Sequence, residues 1–297
     1  MKKLFTLNFL VLITIIFSAI IGGGAVVYTK IGVSQIPPFS FTFLRFAIAS
    51  LCILPFFLKN LPKLNKDFYK VILFSLVLSF NIIVFPFGIM LTTATISQTL
   101  YASVPIFVAV FSYFLLAERI PARKSFGIIL GFAGTLLIIL LPEISHGNPS
   151  AGNFAGDLIL ITTVAATSLY NTLSKKFQKQ YTPLQLTSLF IFTTTFLLIF
   201  LAGFDLLKNP SWLRHVPSQA FGEAAYVGLF GTIIYYGLTQ YIIKHASPLI
   251  ASLVFYLLPV SAFIWAYFLL GEQITSGLIL GALLTFTGVF LILKRQN

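Results

Sequence analysis

Pro105–Ile120 reads PIFVAVFSYFLLAERI, and 154 positions later Pro259–Ile274 reads PVSAFIWAYFLLGEQI. Each is an apolar run that opens on a proline and closes on a glutamate. The match extends beyond the two stretches. Pro105 meets Pro259, Tyr113 meets Tyr267, Glu118 meets Glu272, Gly127 meets Gly281 and Gly134 meets Gly288. Hydrophobicity alone produces aligned leucines, but it does not align Pro, Glu and two Gly. A weaker register, 145 positions apart, pairs Lys30 with Lys175 and Pro38 with Pro183. The chain therefore reads as two related halves.

The solvent of those halves follows from composition. Of 297 residues, 58% are hydrophobic and only 9% charged, and the mean hydropathy is +0.98. A soluble domain carries about 25% charged residues, and one core cannot hide this excess. Lipid is the natural surrounding. The net charge of +12 is scattered between apolar runs, so it does not describe a nucleic-acid-binding face. Cys52 is the single cysteine, which excludes an intramolecular disulfide and a thiolate metal cluster. Lys2 and Lys3 precede an apolar run from Leu4 to Val27. With no small-x-small cleavage site before a polar start, it reads as a retained first span.

A membrane span needs about 20 mostly apolar residues. Ten segments meet this expectation: 6–28, 40–58, 69–90, 95–116, 124–142, 155–174, 184–203, 220–242, 249–269 and 275–293. Long uniform apolarity predicts helices, whereas a transmembrane barrel would show short alternating segments. Lys30, Lys208 and Arg214 fall on one side of that topology and Arg45 within a span; the other fifteen of the 19 basic residues fall on the side of the N-terminus. By the positive-inside rule both ends are cytoplasmic. The loops are too short to hold a soluble domain.

Five spans per half is an odd number, so the second half enters from the opposite side. The predicted fold is an all-α polytopic membrane protein: ten transmembrane helices in two inverted five-helix repeats, 1–147 and 148–297, around a central cavity. Inverted repeats recur in secondary transporters, with the substrate near the midplane between them.

The paired endings LLAERI and LLGEQI, together with FLRF (Phe43–Phe46) and GLFGTIIYYGLTQYIIKHASPLIASLVFYLLPV (Gly228–Val260), resemble the EamA-type branch of the drug/metabolite transporter superfamily. The resemblance covers nearly the whole chain. It implies a carrier of the bacterial inner membrane with a central cavity, often an exporter of amino acids or related metabolites. The chain departs from the family pattern at FSAIIGGG, where many relatives carry Trp-Gly, and at Ala117, where the family usually has Gly.

Polar residues at mid-span depth are the candidates for the cavity: Asn81, Gln98, Tyr101, Tyr170, Asn171, Tyr235, Tyr236, Gln240 and Tyr256. Amides and hydroxyls in hydrocarbon need partners. Bonds between helices would satisfy them equally well, but as a set they outline a neutral, aromatic-lined site for a zwitterionic or apolar organic solute. Pro105 and Pro259 should kink their helices, as static bends or as hinges. Gly22, Gly23 and Gly24 soften the first span, which suits a moving helix or a cavity wall. Gly127, Gly131, Gly134, Gly281 and Gly288 let helices approach closely, for internal packing or for a homodimer. Glu118 and Glu272 end spans on opposite faces, where each can organise a turn, pair with a cation or act at a gate. Arg45, about one turn inside its span, is either a snorkelling structural cation or a substrate group.

No acid or histidine is expected at mid-span. No proton site, metal site, cofactor site or catalytic constellation follows, so an enzyme is not expected. The expected activity is facilitated diffusion or exchange of small organic metabolites, amino acids or related compounds, by alternating access, as an exporter or facilitator. A drug/cation antiporter is a second reading, weakened by the absence of an acid in the first span. An importer or exchanger of a nucleoside-type or cofactor-type solute is a third. The expected partners are the solute and the bilayer, with no nucleic acid, and the expected state is a monomer or a homodimer.

Overall fold

The structure is a computed structural model and describes residues 2–64, 68–92, 94–145, 153–208, 210–214, 216–270 and 276–293. Glu272 lies outside the described residues. The described chain is helical, with no strand. The first helices are α1 (Lys2–Val33), α2 (Pro38–Leu58), α3 (Phe68–Leu91), α4 (Ala94–Tyr101), α5 (Val104–Leu116) and α6 (Ala122–Ser145). They are followed by α7 (Phe154–Phe177), α8 (Pro183–Lys208), α9 (Ser218–Tyr226), α10 (Tyr235–His245), α11 (Pro248–Ser252), α12 (Val254–Leu270) and α13 (Ser276–Leu293). A π-helix, Val227–Ile234, joins α9 to α10 without a break. Among the described residues, seven stretches are long and apolar enough to cross a membrane: Phe9–Val33, Pro38–Leu58, Phe68–Leu91, Ile96–Leu116, Ala122–Leu140, Pro183–Lys208 and Pro248–Leu269. Phe114, Phe200, Phe268, Leu283 and Phe290 are exposed on the outside of the bundle, as expected of side chains whose solvent is lipid.

Helix boundaries follow local chemistry. Thr182 and Gln185 form a reciprocal capping box before α8, with Gln185 N donating to Thr182 Oγ1 (3.2 Å) and Thr182 N to Gln185 Oε1 (2.9 Å). Asn153 and Ser247 cap α7 and α11 with their side-chain oxygens. Helix α5 ends on Ala117 in the left-handed region (φ 54°), and the Ser112 carbonyl accepts from Ala117 N and Glu118 N. A Cβ costs energy there, which gives a physical reason for glycine at the family's matching position.

The two prolines of the repeated stretch are placed differently. Pro105 does not kink a continuous helix as expected. It sits in the first turn of α5, where no amide donor is needed, directly after the break that ends α4. Pro259 lies inside α12.

Glycines set the closest helix contacts. Helices α6 and α13 pack backbone against backbone. A Cβ on Gly134 would stand 2.7 Å from the Gly281 carbonyl, and one on Gly288 would stand 2.5 Å from Gly131 N. The glycine face of α6 is thus consumed inside the molecule. Gly22, Gly23 and Gly24 form a docking groove for α12 and α10. Substituents there would meet Leu258 and Tyr235, Ser261 and Ala262, and Tyr226 and Trp265 respectively. Trp265 Nε1 reaches through the groove to the Ile20 carbonyl (2.8 Å).

Gly288→Val should therefore lower stability by about 2 kcal/mol, whereas Gly203→Ala, with nothing within 4 Å, should be neutral. Thermal unfolding in detergent distinguishes them, and equal melting points would refute the backbone contact. Ala117→Gly should raise stability by about 1 kcal/mol; no gain would show that the left-handed residue carries no strain.

Candidate functional site

A cavity of about 70 Å³ lies inside the bundle, lined by Leu78, Asn81, Tyr101, Thr167, Asn171, Tyr235, Tyr236, Thr239 and Phe255. Helices α3, α4, α7, α10 and α12 contribute to it, so its wall is drawn from both ends of the sequence. The π-helix feeds directly into Tyr235 and Tyr236, whose rings meet edge to face at 5.3 Å. Adjacent helical residues diverge by about 100°, so two neighbouring tyrosines on one wall mean that the start of α10 presents a broad face to the cavity.

One side of the wall is internally bonded. Asn81 Nδ2 donates to the Tyr101 hydroxyl (2.5 Å) and to the Thr163 carbonyl (2.9 Å), and the Tyr101 hydroxyl donates to Thr163 Oγ1 (3.0 Å). This network ties α3 and α4 to α7. The other side is not bonded in this way. Among the described residues, the side chains of Asn171, Tyr235 and Tyr236 form no hydrogen bond within the protein, although all three line the cavity. Polar groups in that position need water or a solute.

Of the nine residues proposed from sequence, Asn81, Tyr101, Asn171, Tyr235 and Tyr236 line the cavity. Gln98, Tyr170, Gln240 and Tyr256 stand outside its wall. Tyr170 is buried and stacks on Phe74 at 4.3 Å and 8°. Tyr256 donates to the Ile128 carbonyl (2.8 Å), and its ring fills the space that Gly131 leaves. Gln240 donates to Ser174 Oγ (2.9 Å) and accepts from Gln178 Nε2 (2.7 Å). Sequence reasoning missed Thr167 and Thr239. Their signal is helical spacing, since Thr167 precedes Asn171 by one turn and Thr239 follows Tyr235 by one turn.

Gln240 belongs to a latch below the cavity. Gln178 Nε2 also donates to the Gln240 carbonyl (2.8 Å), and Lys175 Nζ donates to the carbonyls of Ile243 (2.8 Å), Lys244 (3.1 Å) and Ala246 (3.1 Å). The end of α7 thereby caps the end of α10, with a cation on the negative end of the helix dipole. Burial pushes the Lys175 ammonium below the ordinary lysine range, and the nearby Glu118 carboxylate pulls it back up. Glu118 therefore acts electrostatically on this latch and stands away from the cavity. At the other end, Asp205 Oδ2 accepts from Ser40 N (3.1 Å) and Oγ (3.2 Å), and Gln35 Nε2 donates to Glu223 (3.4 Å).

Arg45 is half-buried on α2, seven residues after its first. Its guanidinium lies 5.0 Å from the Phe46 ring and interacts electrostatically with Tyr236.

A helical bundle rimmed by lipid-facing side chains around an internal cavity is the architecture of a polytopic membrane transporter. The comparisons agree with that class. The EamA-like transporter family matches residues 9–140 and again 154–294. The chain belongs to the EamA-like transporter family. It is 28% identical over 284 residues to a Bacillus subtilis (strain 168) protein named uncharacterized transporter YetK, covering 93% of this chain and 84% of that one. It is 27% identical over 286 residues to uncharacterized transporter YoaV of the same organism, covering 95% and 96%. A WAT1-related chloroplastic protein of Arabidopsis thaliana is 26% identical over 207 residues, covering 69% of this chain and 49% of that one. A solved crystal structure superposes with a TM-score of 0.76 over 93% of this chain and 94% of that one, at 17% identity, which speaks to the fold alone.

Tyr101→Phe should remove one hydroxyl shared by α3, α4 and α7, costing about 1 kcal/mol. A melting curve unchanged from wild type would show that the network does not hold these helices together.

Proposed function

We propose that this transporter moves small organic metabolites, amino acids or related compounds, by alternating access between two inverted five-helix repeats. The observation that carries this reading is the internal cavity, whose unbonded amide and hydroxyl groups are contributed by α7 and α10 while the opposite wall comes from α3 and α4. Such groups recognise neutral hydrogen-bonding parts of a solute. At about 70 Å³ the space is below the ~300–1,000 Å³ of ordinary ligand pockets, so a whole solute enters only when helices separate.

Two findings support the ten-span, two-repeat architecture with its halves at 1–147 and 148–297. The family match falls into two stretches of similar length. The packing also obeys an exchange of halves: α6 lies on α13, α2 lies on α8, and α1 on α12 corresponds to α7 on α5. The exchange is imperfect in an informative way. Helix α10 packs on α7 and α8, but its counterpart α3 makes no comparable backbone approach to α1 or α2 among the described residues. The bundle is thus tighter at the Lys175 end. On the positive-inside reading that end is cytoplasmic, in an inner membrane with both termini inside, and the conformation is shut toward the cytoplasm.

Reconstituted protein is expected to show saturable counterflow of at least one amino acid or related metabolite first found by thermal stabilisation. Failure of every such compound to bind or move would overturn the substrate class, and non-saturating flux would overturn the carrier. The latch gives a second test. In a Cys52→Ser background, a cysteine placed by Thr239→Cys should react with a reagent from the cytoplasm several-fold faster once Lys175→Met and Gln178→Leu are added. Unchanged labelling would mean that the latch does not gate the cavity.

A further inference from the structure

We propose that Arg45 is the carboxylate-recognition group of the transport pathway, so that the solutes of this protein carry a carboxylate; the proposal rests on the carrier reading above and names the chemistry of its substrate.

Arg45 is a half-buried cation of the bundle with no counter-ion among the described residues. Its Nε is buried with no hydrogen-bond partner, and among the described residues its guanidinium makes no ion pair and no hydrogen bond. A charge withdrawn from water in this way is costly unless something pairs with it. The ring of Phe46 at 5.0 Å supplies a cation–π contact, which compensates only a small part of a lost hydration shell. Snorkelling toward the start of α2 would cross about 10 Å. The carboxylates at that end are already engaged: Asp205 accepts from Ser40, and Glu223 accepts from Gln35.

The guanidinium instead interacts electrostatically with Tyr236, a residue of the cavity wall. Gly228 in the π-helix allows α2 to approach so closely that a Cβ there would stand 2.6 Å from the Arg45 carbonyl. That contact packs Arg45 against the π-helix that leads into Tyr235 and Tyr236. Phe46 packs edge-on against Phe190 (5.7 Å), and Phe190 packs against Tyr236 (4.9 Å). Tyr236 lines the cavity, interacts electrostatically with Arg45, and has an unbonded hydroxyl. A planar fork of donors beside a free phenol matches a carboxylate, which can take two bonds from arginine and a third from tyrosine. No acid lines the cavity wall, so the far end of the solute meets only amide, hydroxyl and aromatic groups. The carboxylate is thus read by charge, whereas an amine, if present, is read only by neutral dipoles.

The test uses matched triplets: an amino acid, its amide and its deamino acid. Thermal stabilisation and counterflow are measured with purified full-length protein. Wild type should respond to the acid and the deamino acid and discriminate against the amide. Arg45→Gln should lose that discrimination. Arg45→Lys keeps the charge but not the two-point fork, and should raise the half-saturating acid concentration about tenfold while leaving neutral solutes unaffected. Should Arg45→Gln fail to fold, Arg45→Lys decides alone. Equal response to acid and amide, or an unchanged acid-to-amide ratio in Arg45→Lys, overturns the proposal. Transport of amides or other neutral solutes as well as their matched acids also overturns it while the carrier stands. Transport of no solute of either kind overturns the carrier reading.

Discussion

Hydrocarbon accepts no hydrogen bonds, and the arrangement of this protein follows from that constraint. Every backbone polar group must pair within its own segment, so the described chain is helical. Polar side chains turn inward or bond their own helix, as Thr162 and Thr287 do with the Ile159 and Leu283 carbonyls. The serine and threonine hydroxyls show the pattern at small scale. Ser50 and Thr195 bond across α2 and α8 at 2.7 Å, and Ser79 and Thr194 bond across α3 and α8 at 2.7 Å. The cavity is where this internal pairing is incomplete. Asn81 and Tyr101 are satisfied by α7, while Asn171, Tyr235 and Tyr236 keep unused capacity. A membrane protein tolerates such groups where they face water or cargo, which is why incomplete pairing marks the functional region.

Lipid also removes the hydrophobic force that would hold helices together, leaving close packing and polar contacts. The glycines answer that need in two ways. Between α6 and α13 they bring two backbones into contact. In α1 the Gly22–Gly24 groove admits Trp265, whose indole then finds the Ile20 carbonyl. The same triple glycine that reads as a soft point in sequence is, in the fold, a seat for a large aromatic. Close approach at Gly228 has a different consequence, because it packs the α2 backbone at Arg45 against the π-helix that leads into the cavity tyrosines.

The ends of the helices carry the charge chemistry. Lys175 caps α10, Asp205 caps the start of α2, and Glu118 acts on Lys175 through space. Each contact joins helices that are far apart in sequence. Acids and bases at these depths are partly hydrated, so their contacts can form and break at modest cost, which suits groups at the closing ends of a pathway. Glu118 of the opening motif belongs to this layer of the molecule.

The sequence by itself determined the solvent, the helical class, the family and the polar residues from which the cavity is drawn. Those properties depend on composition and on periodicity along one chain. Five of the nine candidates line the cavity; of the other four, Tyr170, Gln240 and Tyr256 are buried and Gln98 is half-buried. Sequence could not separate the groups because depth in the membrane is legible from position, whereas the direction a side chain faces depends on which helix lies opposite. Tyr256 turns to Ile128 and Gln240 to Ser174 because α6 and α7 stand there. The pairing of Lys175 with the end of α10 was likewise decided only by tertiary contacts, since it satisfies backbone carbonyls with a partner that local sequence does not contain.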